Sequence, residues 1–209
     1  MLVNLTVNEF LDKVAGNDPV PGGGSIAALN GALASALAGM VAGLTIGKKG
    51  YEECQEMMNQ IQRLAAAQQL QFVADVDRDS EAYNRVFDCF KLPKATDEEK
   101  TARSAAIQEA TKFAALVPMQ VARNAYELMP LIADVARLGN RNAVTDACVA
   151  MMAARSAVLG ALMNVRINLG SLKDKAFVEQ MQAEADALES HACAREKELL
   201  DAVNQDLRV

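Results

Sequence analysis

Aromatic residues make up only 4% of this 209-residue chain, and tryptophan is absent. A core therefore has to be assembled from Ala, Leu, Val, Ile and Met, a palette that favours helices over sheets. Runs in which Val, Ile, Thr, Phe or Tyr alternate with polar residues are missing too, which leaves strands without support. The single histidine, His191, stands near Glu189 and Glu196 on a polar segment, so histidine acid–base chemistry and His-based metal sites have little to build on. The four cysteines, Cys54, Cys89, Cys148 and Cys193, are far apart with no C-x-x-C pair. That removes a zinc knuckle and a disulfide framework, and it makes a reducing cytoplasm the expected compartment. Nor is there an excess of positive charge: at a formal −6 the chain has no field to draw it to nucleic acid or an anionic membrane. The opening MLVNLTVNEFLDKV lacks a basic start and a clean apolar stretch, so no secretory signal is expected.

What is present is 51% hydrophobic and 23% charged, close to a soluble globular average. The length suits one domain, 1–209, able to bury a sizeable core. Punctuation sets out the helices. Thr6 with Glu9 is a capping-box pattern closed by Gly16, and Ser25 can cap a helix reaching about Ile46. From Tyr51 to Leu92 there is no Gly or Pro, which reads as one helix of roughly 60 Å. Thr96 with Glu99 caps a segment to Leu138 that holds Pro118 and Pro130, where kinks or a break are expected. Asn142 opens a stretch to Leu169, and Ser171 with Asp174 opens the last helix. The expected fold is all-α: a bundle of long, partly kinked helices around a buried Gly/Ala-rich one, arranged as a dimer.

Between Asp18 and Lys48 no residue is charged, and the run opens with PVPGGGS at 19–25. GGGSIA satisfies a variant of the dinucleotide fingerprint, but a short helix and a proline loop precede it where that motif needs a strand. Ser25 to Ile46 is long enough to span a bilayer, yet it is mostly Ala and Gly and includes Asn30, Ser35 and Thr45. Packing explains more. Ala27, Gly31, Ser35, Gly39, Gly43 and Gly47 put a small residue at every fourth position, which lets another backbone approach closely. Glycines inside a helix cost about 1 kcal/mol each relative to Ala; close packing is the natural offset, and a homodimer interface is a candidate for part of it. PGGG is then the entry to that helix: either an anion site at the positive end of the dipole or a tight turn without ligand.

Two groups of polar residues stand where a core is expected. Asp75 and Asp79 lie one turn apart, as part of an acidic site or a solvated stripe. The D-x-D-x-D string is no calcium loop, since Ser80 and Val86 occupy its required Gly and Glu positions. On the apolar segment 143–170, Asp146, Arg155, Asn164, Arg166 and Asn168 cannot all avoid burial, so they need partners. They form a structural network or a site.

Taken together, PVPGGGSIAALNGALASALAGMVAGLTIGKKGYEE, DVDRDSEAYNRV, LPKATDEEK, LVPMQVA, LGNRNAVTDACVA and NVRINL resemble the cyclodeaminase domain of the formiminotransferase-cyclodeaminase family, from about Phe10 to Leu169. The resemblance implies an all-helical dimer acting on tetrahydrofolate one-carbon units, with the folate as substrate and no further cofactor or metal. One implied reaction closes 5-formiminotetrahydrofolate to 5,10-methenyltetrahydrofolate with release of ammonia. The alternative is a methenyltetrahydrofolate cyclohydrolase, and a third reading is a non-catalytic folate-binding or dimeric module. A separate formiminotransferase is an implied partner; nucleic acid and membrane are not. Ring closure needs a group poised for proton transfer. Asp146 is the first choice, because a carboxylate isolated in an apolar helix should hold its proton more tightly. Lys48 and Tyr51 are candidates for relaying protons, and Asp79 for joining in that transfer. Asp75, Asn164 and Asn168 are candidates for binding the pterin edge. Gly22, Gly23, Gly24 and Ser25, with Lys49, are candidates for holding the anionic tail.

Overall fold

The computed structural model describes residues 1–207. Six α-helices account for most of them: α1 (Val7–Val14), α2 (Gly23–Gly43), α3 (Gln55–Phe90), α4 (Asp97–Leu138), α5 (Val144–Leu169) and α6 (Lys175–Leu207). Short 3-10 turns lie at Leu2–Asn4, Glu52–Cys54 and Arg141–Ala143, and no strand occurs among the described residues. Both capping boxes form: the side chains of Thr6 and Thr96 accept from the backbone of Glu9 and Glu99, whose carboxylates reach back. Ser25 is not a cap. Gly22 holds that position, and Ser25 sits inside the first turn with its hydroxyl turned into the protein. The last helix starts later than its sequence suggests, because Asp174 Oδ1 accepts from Phe177 N at 3.2 Å and takes the role expected of Ser171.

α4 runs unbroken through Pro118 and Pro130. Each proline forfeits a hydrogen bond and crowds the preceding turn, at about 3 kcal/mol or more. Fully buried neighbours, Val117, Met119, Leu128 and Met129, keep the helix continuous there. The core is a layer in which α2 and α5 lie together, flanked by the longer α3 and α4, and it is built from Ala, Val, Leu and Met with Phe72 as its largest member.

The small-residue row of α2 packs against α3. A methyl group on Gly31 would meet the Phe72 ring at 2.6 Å and one on Gly43 would meet Gln62 Nε2 at 2.8 Å, while Gly39 faces Ala65. Close approach to a helix of the same chain therefore offsets the glycine penalty at these positions. Gly47, counted in the same row, lies outside the helix in a left-handed turn at φ +72°. The opposite faces of α2 and α5 are open. Leu33 and Met40 on α2, Leu44 just past its end, and Val149, Met152 and Met163 on α5 are exposed. Both segments, Gly23–Gly43 and Arg141–Leu169, are long and apolar enough to cross a membrane, and half of each is buried within the chain.

α6 is attached differently. Only Met181, Ala185, Ala192 and Val203 are buried along it, and ion pairs hold it. Arg123 of α4 grips Glu184 through two nitrogens at 2.6 and 2.7 Å. Arg155 of α5 bonds Glu196 at 2.9 Å, and Arg166 bonds Asp186 and Glu189. These are the partners that the arginines of the apolar segment require.

Candidate active site

The α2–α3 pairing is antiparallel, with Gly24 against Asp79 and Gly43 against Gln62, so each end of α2 presents its own cluster. At the amino end the backbone opens at Gly22 in an extended conformation (φ −122°). The carboxylate of Asp79 lies directly against Gly24, in the space that any side chain there would fill. The Ser25 hydroxyl is 3.1 Å from Asp79 Oδ2, 3.0 Å from the Val76 carbonyl and 3.2 Å from Ser80 Oγ. The anion that this helix end attracts is thus one of the chain's own. Burial pushes the Asp79 carboxyl up from its ordinary value, and hydrogen bonding by the Ser25 hydroxyl and backbone pulls the other way.

One turn earlier, Asp75 is fully buried. Its Oδ1 accepts from Gln71 Nε2 at 3.1 Å and Arg78 Nη1 at 3.4 Å, and its Oδ2 has no partner among the described residues. Burial raises this carboxyl too, against the opposing pull of Gln71 and Arg78. A solvated acidic stripe is excluded for Asp75. The α5 side of the cluster is Asn164 and Asn168. Asn164 Nδ2 donates to the Gly160 carbonyl at 2.8 Å beside Gly23. Asn168 Nδ2 donates to the carbonyls of Asn164 and Ala114 at 2.8 and 3.0 Å. Both donors face backbone, which leaves the amide oxygens to accept from a ligand.

At the carboxyl end Lys48 Nζ donates to Asn140 Oδ1 at 2.8 Å. The backbone N–H of Asn140 donates to buried Thr45 Oγ1 at 2.9 Å, and the backbone N–H of Arg141 donates to the Tyr51 hydroxyl at 3.1 Å. The Lys48 ammonium stands 5.9 Å from the centre of the Tyr51 ring. Asp146 occupies the first turn of α5 at this same end of the bundle. Instead of being enclosed, it is half-buried, because Ala143 and Ala147 take the core-facing positions beside it. Lys49 is exposed.

The structure therefore gathers Gly22, Gly23, Gly24, Ser25, Asp75, Asp79, Asn164 and Asn168 at one end, and Lys48, Lys49, Tyr51 and Asp146 at the other. Twenty-one residues of α2 separate them, about 30 Å at 1.5 Å each. Lys49 and PGGG, expected to share one anion, cannot do so within one chain. Thr45 and Asn140 were missed as site residues: Gly139-Asn140 reads in sequence as a helix stop, and nothing local shows that Asn140 meets Lys48. A cavity of about 510 Å³ between α4, α5 and α6, lined by Arg137, Arg141, Arg195, Leu199 and Val203 among others, includes none of the predicted site residues. Among the described residues no three His, Cys, Asp or Glu side chains are grouped to hold a metal ion.

Residues 6–187 match the model of a family described as formiminotransferase-cyclodeaminase. The chain belongs to that family. A relative named methenyltetrahydrofolate cyclohydrolase, from Methylorubrum extorquens, is 39% identical over 97% of this chain and 98% of its own length. The formimidoyltransferase-cyclodeaminase of Mus musculus is 34% identical over 86% of this chain, which spans only 33% of that larger protein. In three dimensions the chain is similar to the formiminotetrahydrofolate cyclodeaminase of Thermotoga maritima, with a TM-score of 0.84, 32% identity, and 97% and 99% of the two chains covered. This family member carries its two polar clusters on an all-α bundle.

Proposed function

We propose that this chain closes 5-formiminotetrahydrofolate to 5,10-methenyltetrahydrofolate with release of ammonia, in a site completed by a second copy of the same chain. The observation that carries the reading is the Asp79–Ser25–Gly24 arrangement beside Asn164, a carboxyl raised by burial at the mouth of an apolar helix. N10 of the folate attacks the amidine carbon on N5, a C–N bond forms, and the N10 proton passes to a base. The C–N bond to the formimino nitrogen then breaks, and that nitrogen leaves protonated as ammonia. Asp79 is suited to the proton transfers or to the pterin's donor edge, with Asp75 behind it. Asn164, Asn168 and the turn at Gly22–Gly24, exposed at Gly23, complete the recognition. Lys48, Tyr51 and Asp146 supply the second proton-handling group, and the exposed Lys49, which has no ion pair among the described residues, is the cation for the anionic tail.

Two copies are needed because those groups lie at opposite ends of α2. The open apolar faces of α2 and α5 call for cover, since a helix that is apolar all round is stable only when surrounded. A twofold axis across these faces sets the helices antiparallel and brings the Asp79 end of one copy to the Lys48 end of the other. Such a site also requires a transferase to load the formimino group onto N5 beforehand.

A second reading, hydrolysis of 5,10-methenyltetrahydrofolate to 10-formyltetrahydrofolate, is favoured by the full-length relative that carries the cyclohydrolase name. Rates of purified protein on the two substrates, followed by methenyl absorbance and ammonia, separate the readings. Turnover of neither leaves a non-catalytic module. The composite site has its own test: Asp79→Asn and Lys48→Met are each expected to lose at least about 100-fold in kcat/KM. Mixing the two inactive variants restores up to a quarter of wild-type activity if one site draws on both chains, and none if it does not.

A further inference from the structure

Beyond Asp79, α3 continues for eleven residues to Phe90 with no α2 residue opposite, because the fixed pairing puts Asp79 at the first turn of α2. The stripe of α3 that carries Asp79 goes on through Tyr83 and Phe87, at spacings of four. These two rings are 42% and 53% exposed and stack on each other, with centroids 6.5 Å apart and planes 11° from parallel. In a chain with three tyrosines and six phenylalanines in all, a stacked pair left outside the core forgoes burial that few other residues can supply. Lys91 stands over the Phe87 ring at 4.8 Å, which occupies that end of the pair and leaves the Tyr83 end nearest the Asp79 carboxyl and Gly23.

We propose that Tyr83, backed by Phe87, is the platform on which the flat pterin ring of the substrate stacks, with its amino edge directed to Asp79. The proposal rests on the folate reading and deepens it by assigning the specificity for a planar bicyclic ring. An aromatic face supplies the stacking whatever the oxidation state of the one-carbon unit, while the adjacent carboxyl accepts from ring N–H groups. The hydroxyl of Tyr83 has no part in this.

The test is calorimetric titration of the full chain with 5-formyltetrahydrofolate, a stable folate carrying the same ring. Tyr83→Ala is expected to weaken binding about 10-fold or more, the range of a lost stacking partner, and Tyr83→Phe to stay within about twofold. Leu70→Ala, at an α3 position 73% exposed and remote from Asp79, controls for surface truncation, and thermal melts confirm that each variant folds. In steady state Tyr83→Ala should raise KM with kcat little changed, as for an interaction equal in ground and transition states. The platform is overturned if Tyr83→Ala binds like Leu70→Ala, or if Tyr83→Phe is as weak as Tyr83→Ala, which would assign the role to the hydroxyl. Wild-type protein that neither binds nor turns over folate overturns the functional reading itself, and the platform with it. Wild-type binding with an unaffected Tyr83→Ala overturns the platform alone.

Discussion

Asp75 is a carboxyl without exposure, with one oxygen bonded and the other bare. Its ordinary value of about 4 in the unfolded chain is raised on folding, so the native state binds that proton more tightly. Stability from this source is greatest below the ordinary carboxylate range and declines as pH rises through the unfolded and then the folded value. Asp75→Asn removes the charge and keeps the shape. It should raise the thermal midpoint at pH 7 by about 2–4 °C, equivalent to about 1 kcal/mol in a protein of this size, with the gain vanishing near pH 4. Scanning calorimetry at the two pH values checks this, and a lower midpoint at pH 7 would mean that the Gln71 and Arg78 bonds outweigh desolvation. Asp79 is raised for the same reason and lies at the site, so the acid limb of kcat/KM should fall above the ordinary carboxylate range. Asp79→Asn should abolish that limb along with most of the activity. The sequence shows both aspartates one turn apart, but not which is enclosed, because the surfaces packed on α3 come from helices distant in sequence.

At the scale of elements, the helices divide by what holds them. α2 and α5 are held by close-packed small side chains, and α6 by a sparser apolar seam (Met181, Ala185, Ala192) supplemented by partly exposed arginine–carboxylate pairs. Arg123 keeps the Glu184 carboxyl below its ordinary value, so this contribution is present above the unfolded value and is lost as pH falls through the folded one. Pairs this exposed contribute a few tenths to about 1 kcal/mol each and are screened by salt. Amides of α6 should therefore exchange faster than those of α2 and α5, and raising salt from 0.05 to 1 M should speed α6 selectively; equal protection across the three helices would contradict the division. Helix boundaries were legible from caps and glycines, with the capping boxes at Thr6 and Thr96 forming as read. The continuity of α4 was not legible, because whether a proline breaks a helix depends on what packs around the turn it weakens. Ser25 misled for a related reason: the serine is a good cap by composition, yet the space beside Asp79 drew its hydroxyl inward.

For the whole molecule, the proposed two-copy site turns on the open apolar faces of α2 and α5. Leu33→Glu together with Met40→Glu should yield a monomer by light scattering, with helical content retained and turnover lost, if the site spans two copies. A folded monomer with full activity would place the complete site in one chain. The sequence by itself determined the helical class, the order of elements and the family, because those depend on local periodicity, capping and motifs that survive without contacts. Only the tertiary structure decided that the predicted residues form two clusters at opposite ends of α2, that Asp79 fills the glycine turn, and that Tyr83 stands past the end of the α2 pairing. Those facts follow from the antiparallel register of α2 against α3, and register is set by which side chains interlock across the helices, something no linear spacing contains.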